Sequence, residues 1–323
     1  MKPFDYQVAD NLAAASTAYA APANPTLKAG GIDLLDLMKE GIVAPDHVLS
    51  IGRAKDLAYI RSVEGGATVI GCCTTLADIA RSRLLAEKYA ALHSAAAHAA
   101  TPQVRERATI AGNLCQRPRC WYFRSVDFHC LKKGGATCFA VDGENQYHAI
   151  LGGGPCHIVH PSNTAPALLA LDATLLVANG ENRRRIAIAE FFVPPARDLT
   201  RETVLQPGDL IVEIELPPPP RQSAAIELRE KQSFDWPIAM AAVARGAGGW
   251  RVALGAVAPV PWLSKPAMDV LGDADVNDEL ATRAAQTALN DAKPMSDNAY
   301  KVTVAQTAVQ RALLKAAGRE VPT

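Results

Sequence analysis

The sequence predicts an α+β chain arranged as two domains, and three observations carry this. The chain has 323 residues, enough for two units at roughly 150 residues each. Strand and helix signals alternate as far as Pro217-Pro218-Pro219-Pro220, four residues that can continue neither a helix nor a sheet. Beyond them strands come first and helices last, the pattern of a small α+β unit. The boundary is therefore placed there, giving domains at 1–220 and 221–323.

Each element follows from a local signal. Residues 26–29 read as a short strand that ends at Gly30-Gly31. Residues 32–40 read as a helix, with Leu34, Leu35, Leu37 and Met38 as its apolar face. Strands follow at 47–51 and 67–71. Thr75-Leu76-Ala77-Asp78 has capping-box spacing and opens one alanine-rich helix, expected to run to about Ala100 and stop at Pro102. Further strands lie at 174–178 and 210–216; the second alternates as a half-buried strand should. After the prolines come a strand at 225–230, a hairpin of 239–245 with 250–257 around Gly246-Ala247-Gly248-Gly249, and helices at 277–290 and 300–317.

Composition narrows the function. Hydrophobic residues are 49% and charged residues 20% of the chain, which excludes disorder as the main state. Lys+Arg and Asp+Glu are 33 each. That balance argues against nucleic acid as the main partner and suits a subunit of a complex. The first seven residues form no apolar signal core, and no run of 18 apolar residues occurs. The expectation is a chain without a membrane span, either cytoplasmic or carried to the periplasm by a partner that bears the signal.

Three segments suggest chemistry. Leu27-Lys28-Ala29-Gly30-Gly31-Ile32-Asp33-Leu34 joins a strand to a helix start through two glycines, which can cradle an anion on backbone N–H groups. It is neither GxGxxG nor a Walker A loop, and a plain turn is the alternative. Arg105 to Asn113 ends in small residues suited to a loop pressed on a flat ligand. The third segment holds five of the seven cysteines: Cys115, Cys120, Cys130, Cys138 and Cys156. Their spacing is too open for a zinc finger, and four thiolates on one loop suit an iron–sulfur cluster. Five thiols compete for four places. Arg117, Arg119, Arg124, Lys132 and Lys133 lie among them and are expected to lower thiol pKa values and offset cluster charge. The segment reads as polar and loop-like. His129, His148, His157 and His160 share it, and each reads first as a satisfied histidine, with a ligand role second. Cys72-Cys73 reads as two packing residues in a strand, facing opposite ways.

With these segments in order, the sequence resembles the FAD-binding medium subunit of molybdenum hydroxylases, the xanthine dehydrogenase/aldehyde oxidoreductase family. The resemblance covers nearly the whole chain. It runs through Ala29-Gly30-Gly31, 74–79, 107–113, His160-Pro161-Ser162-Asn163, 205–211 and 255–262. It implies a two-part FAD-binding domain of the PCMH/vanillyl-alcohol-oxidase-like type, followed by a C-terminal α+β domain like that of the CO dehydrogenase flavoprotein. The stretches 116–123 and 156–161 resemble the branch with an extra [4Fe–4S] cluster, held in a loop insert at about 115–157. By that resemblance the ligands are Cys120, Cys130, Cys138 and Cys156, with Cys115 a spare; whether Cys115 or Cys156 completes the set stays open.

The resemblance also implies FAD contacts. Leu27, Lys28, Ala29, Gly30, Gly31, Ile32, Asp33 and Leu34 would hold the pyrophosphate. Thr109, Ile110, Ala111, Gly112 and Asn113 would line the opposite side. Asn163 stands where relatives commonly have Asp; Ile211 would touch the ring system, and Lys231 would place a positive charge near it. The implied function is electron transfer from [2Fe–2S] clusters on a small subunit, through FAD, to an external acceptor. Substrate would be oxidised at molybdopterin on a large subunit of a heterotrimer, so no catalytic residue is assigned here. Two rivals remain: a stand-alone FAD oxidoreductase of the same flavin fold, and a zinc-stabilised interaction module.

Overall fold

The computed structural model describes residues 1–20, 25–232 and 234–321. Three sheets organise them. A parallel sheet, ordered β1-β3-β2, contains β1 (Asp5–Val8), β2 (Thr26–Lys28) and β3 (His47–Ser50). An antiparallel sheet, ordered β4-β5-β8-β6-β7, contains β4 (Ile60–Ser62), β5 (Thr68–Gly71), β6 (Thr174–Asn179), β7 (Asn182–Ala187) and β8 (Leu210–Leu216). The last sheet, ordered β12-β11-β10-β9, contains β9 (Gln222–Leu228), β10 (Ala239–Gly246), β11 (Gly249–Gly255) and β12 (Trp262–Leu263).

β10 shows how side-chain alternation joins the halves of the chain. Ala239, Ala241 and Val243 enter one core with the helices Asp278–Thr287 and Tyr300–Ala316. Ala242 and Ala244 enter the other core, beside the helices Ala90–His98 and Thr164–Ala170. A period of two puts successive residues on opposite faces, and alanines let helices approach both. The helix Tyr300–Ala316 buries Lys301, Ala305, Ala308, Val309, Ala312 and Leu313, one stripe at helical spacing.

Several expectations are corrected. The alanine-rich segment is three helices, Leu76–Arg81, Arg83–Lys88 and Ala90–His98, because Ser82 leaves helical geometry and caps the second. Thr75 and Asp78 do form the capping box. Pro102 opens a further short helix at its first turn, under a Thr101 cap. β8 is buried along almost its whole length, because it is hydrogen-bonded between β5 and β6 and covered on both faces; even Glu213 is buried, against Tyr59 Oη at 2.6 Å. Cys72 and Cys73 lie in the turn after β5 with sulfurs 3.8 Å apart. They pack in the core as expected, without facing opposite ways. The helix Lys265–Leu271 and strands β1, β4 and β7 carried too little pattern to be read in advance.

Candidate functional site

The strand-to-helix loop is built around two glycines. Gly31 has φ +81° and caps the helix Ile32–Lys39 without any side-chain hydrogen bond. The N–H groups of Gly31, Ile32, Asp33 and Leu34 donate to no other described residue, while Leu35 N bonds Gly31 O at 3.0 Å. Four free donors at a helix start form an anion cradle. At Gly30 an added Cβ would fall 1.9 Å from the Arg107 carbonyl oxygen. Only glycine lets this loop touch the second one.

The second loop is fixed from both ends. Leu76 N donates to Ala108 O at 2.8 Å, and Ile110 N donates to Thr74 O at 2.9 Å. Thr109 caps the short helix Ile110–Leu114 by accepting from Gly112 N. Asn113 Oδ1 then accepts from Ser162 Oγ and Thr164 Oγ1, each at 2.7 Å, which brings in the 160–164 segment.

Between these loops lies a cavity of about 890 Å³, within the usual size of cofactor sites. Leu27 to Leu34, Thr109, Gly112, Asn113 and Asn163 line it. Ile110 is buried beneath it and Ala111 packs against the same core. Ile211 sits in β8 opposite Val177, inside the core, because β8 runs through the middle of its sheet. Lys231, shortly after β9, is exposed and outside the lining. Phe234 and Trp236 line the cavity instead, although 61% and 50% exposed. Two aromatics in a short polar loop were the available signal for them. The Arg119 guanidinium lies 5.1 Å from the Trp236 ring centre.

Asn163 has a partner that explains its identity. Its Nδ2 donates to Glu227 Oε1 and Oε2 at 3.0 and 3.1 Å, and Glu227 is ion-paired to Arg229. An aspartate at 163 would face that carboxylate as a like charge.

Cys120, Cys130, Cys138 and Cys156 line a second, very small cavity of about 10 Å³. Cys115 is elsewhere, on the wall of the large cavity, where burial pushes its thiol up to about 12. The four-cysteine segment is less polar than its composition suggested. Tyr122, Phe123 and Ala140 are buried with Cys130, and Trp121 and Phe128 pack around them. Burial accordingly pushes Cys120 up to about 11. The neighbouring Cys156 thiol, then the backbone N–H groups of His157 and Ala140, hold Cys138 below the ordinary thiol range, while the Cys138 thiol and burial push Cys156 above it.

Carboxylates pair with most of these basic residues, and the Lys132 charge still pulls the Cys156 thiol downward as expected. Arg117 and Lys132 pair with Glu202 at 3.1 and 2.8 Å. Arg119 and Arg124 pair with Asp33 at 2.7 and 2.6 Å. Lys133 donates to Ser125 O. Among the described residues no three His, Cys, Asp or Glu side chains converge on a point that could hold a single metal ion. A four-iron cluster asks for something different, four thiolates that each reach a different iron around one centre. The donor set, four cysteines around one small cavity, fits that group.

His148 lies against this set. Its Nε2 is 3.3 Å from Cys120 Sγ, and its Nδ1 has no partner among the described residues. Burial, followed by the Lys301 charge, holds the ring down to about 4. His160 is buried on Phe192, likewise down to about 4 through burial.

Residues 2–219 match the family described as the FAD binding domain in molybdopterin dehydrogenase, and residues 230–316 match the CO dehydrogenase flavoprotein C-terminal domain. The chain is an FAD-binding subunit of the molybdenum hydroxylase family. This family, which takes in CO dehydrogenases, aldehyde oxidoreductases and xanthine dehydrogenases, accounts for the α+β fold of a flavin domain plus a C-terminal domain. The aldehyde oxidoreductase FAD-binding subunit PaoB of Escherichia coli K12 is 33% identical over 98% of this chain and 99% of its own. The carbon monoxide dehydrogenase medium chain of Hydrogenophaga pseudoflava is 28% identical over 89% of this chain and 87% of its own. The solved H. pseudoflava carbon monoxide dehydrogenase lacking the Mo-pyranopterin moiety superimposes with TM-score 0.74 at 26% identity, covering 98% of this chain and 99% of that one. No helix among the described residues is long and apolar enough to cross a membrane.

Proposed function

We propose that this chain is the FAD- and [4Fe–4S]-containing electron-transfer subunit of a heterotrimeric molybdenum-dependent enzyme of the aldehyde oxidoreductase/xanthine dehydrogenase type. Its partners are a large molybdopterin subunit, where substrate is oxidised, and a small [2Fe–2S] subunit; electrons leave to an external acceptor. The observation that carries the cluster is the gathering of Cys120, Cys130, Cys138 and Cys156 on one cavity, with Cys115 outside it. The likeness to an aldehyde oxidoreductase subunit supports the branch. In this reading the domains divide at 217–220.

When bound, flavin and cluster supply one- and two-electron transfer; the chain supplies position and shielding. The free N–H groups of Gly31 to Leu34 would bind the pyrophosphate. Gly30 keeps the loops close enough to clamp it. Asn163 and the Trp236 loop close the far wall. The aromatic shell of Trp121, Tyr122, Phe123 and Phe128 excludes water from the thiols.

The test is an absorption spectrum of anaerobically prepared protein, with iron and flavin quantified on the same sample. About four irons and one flavin per chain are expected. Flavin without iron, repeated in the co-expressed complex, would leave a flavoprotein whose cysteine segment is only structural. The isolated chain is expected to turn over neither aldehyde nor purine; turnover by rigorously purified chain would end the division of labour.

A further inference from the structure

We propose that His148 raises the reduction potential of the iron–sulfur site by donating its Nε2–H to the sulfur of Cys120. This rests on the four-cysteine reading above.

The geometry leaves the ring little choice. His148 is 3% exposed, and Nε2 reaches Cys120 Sγ at 3.3 Å while Nδ1 has no partner among the described residues. A neutral imidazole carries one N–H, which goes to the nitrogen that has an acceptor. The Asn145 carbonyl is also near the ring, but among the described residues the Cys120 sulfur alone meets a ring nitrogen with hydrogen-bond geometry. The ring packs edge-on against Trp121 at 5.3 Å and lies tilted beside Tyr122 at 6.1 Å.

Its backbone is held from the far end of the chain. His148 N donates to Asn145 O at 2.9 Å. His148 O accepts from Lys301 Nζ at 3.0 Å and Asn298 Nδ2 at 3.2 Å. Asn145 is itself bound by Ser296 Oγ and by the Asp297 backbone. The turn before the last helix therefore fixes where the donor points. A hydrogen bond to a ligand sulfur draws electron density from it, which favours the more negative reduced state.

The experiment is a spectroelectrochemical titration of the full chain, purified anaerobically, as wild type, His148→Phe and His148→Gln, with iron counted in each. The Phe variant is expected to keep its iron and titrate at a lower potential. The Gln variant, which retains an N–H at similar reach, is expected to stay near wild type. If Phe alone loses iron and Gln keeps both iron and potential, the donor role also stands. An unchanged potential in an iron-replete Phe variant overturns the proposal, as does an equal fall in both variants, which would assign the effect to ring packing. Loss of iron from both variants would make His148 a ligand or a purely structural residue and overturn it too. Wild type without iron fails differently, because it removes the cluster itself.

Discussion

Asp33 and Arg124 join the two candidate sites: Arg124 Nη2 donates to Asp33 Oδ1 at 2.6 Å, across 91 residues of sequence. Arg119 pairs with the same carboxylate at 2.7 Å, and the Arg117 backbone N–H donates to its other oxygen at 2.8 Å. One residue in the first turn of the cradle helix thus anchors the cysteine segment at three points. The two guanidiniums also cancel a negative charge that would otherwise sit beside bound phosphate.

Asp33→Asn is expected to lower stability by about 2–4 kcal/mol, since it leaves two poorly solvated guanidiniums short of a partner. The side chains of Asp33 and Arg124 are only 17% and 8% exposed. Urea midpoints measure the cost; flavin and iron retention should fall together. Loss of one with full retention of the other would show that the two sites are not coupled through Asp33.

Gly30→Ala should abolish flavin retention, because the added Cβ meets the Arg107 carbonyl at 1.9 Å and the loops must part. Gly65→Ala is the control: nothing lies within 4 Å of its added Cβ, although its φ is positive, +76°. It should cost about 1 kcal/mol and keep the flavin. The flavin-to-protein absorbance ratio decides, and an unchanged ratio in Gly30→Ala would place the cofactor elsewhere.

Cys120→Ser is expected to remove or strongly destabilise the iron–sulfur site, and Cys115→Ser to spare it. The two thiols line different cavities. Iron content per chain reads this directly; the reverse pattern would exchange the assignments.

Asn163→Asp should place two carboxylates within about 3 Å, so that one must stay protonated or the pair must part. The variant's stability should fall as pH rises above the carboxylate range, and Glu227→Gln in the same chain should restore it. A double-mutant cycle without coupling would deny the contact at 3.0 Å.

Lys301 is 1% exposed, and burial pulls its pKa from 10.5 down to about 7. Between those values the unfolded chain binds more protons than the folded one. This group therefore makes stability rise with pH across that window, by up to about 1.4 kcal/mol per unit. Below about 7 both states hold the proton and its contribution is flat. Lys301→Met should be less stable, leaving the carbonyls of Tyr147, His148 and Ala256 unpaired. It should also lose that slope; urea midpoints at pH 7.5 and 9.5 compare the two chains, and parallel slopes would deny the effect.

Much of this molecule was legible in the chain. The cradle glycines, the Thr75 cap, the Gly246–Gly249 hairpin and the last two helices each rest on signals within a few residues. The clustering of cysteines was equally plain. What failed were readings that needed neighbours distant in sequence. Ile211 and Ile110 lie in the core, and Lys231 is exposed, because tertiary packing decides which face of a segment meets the cavity. The carboxylate partners of the basic residues, Asp33 and Glu202, could not be read from the cysteine segment itself.

The sequence alone determined many of the elements, the order of the motifs and a family resemblance, because turns, caps and hydrophobic periodicity are local. Only the tertiary structure decided that Cys115 and Cys156 belong to different cavities, that Asn163 answers Glu227, and that His148 meets Cys120. Those pairings depend on burial and on charges brought together from distant parts of the chain, and neither exists before it folds.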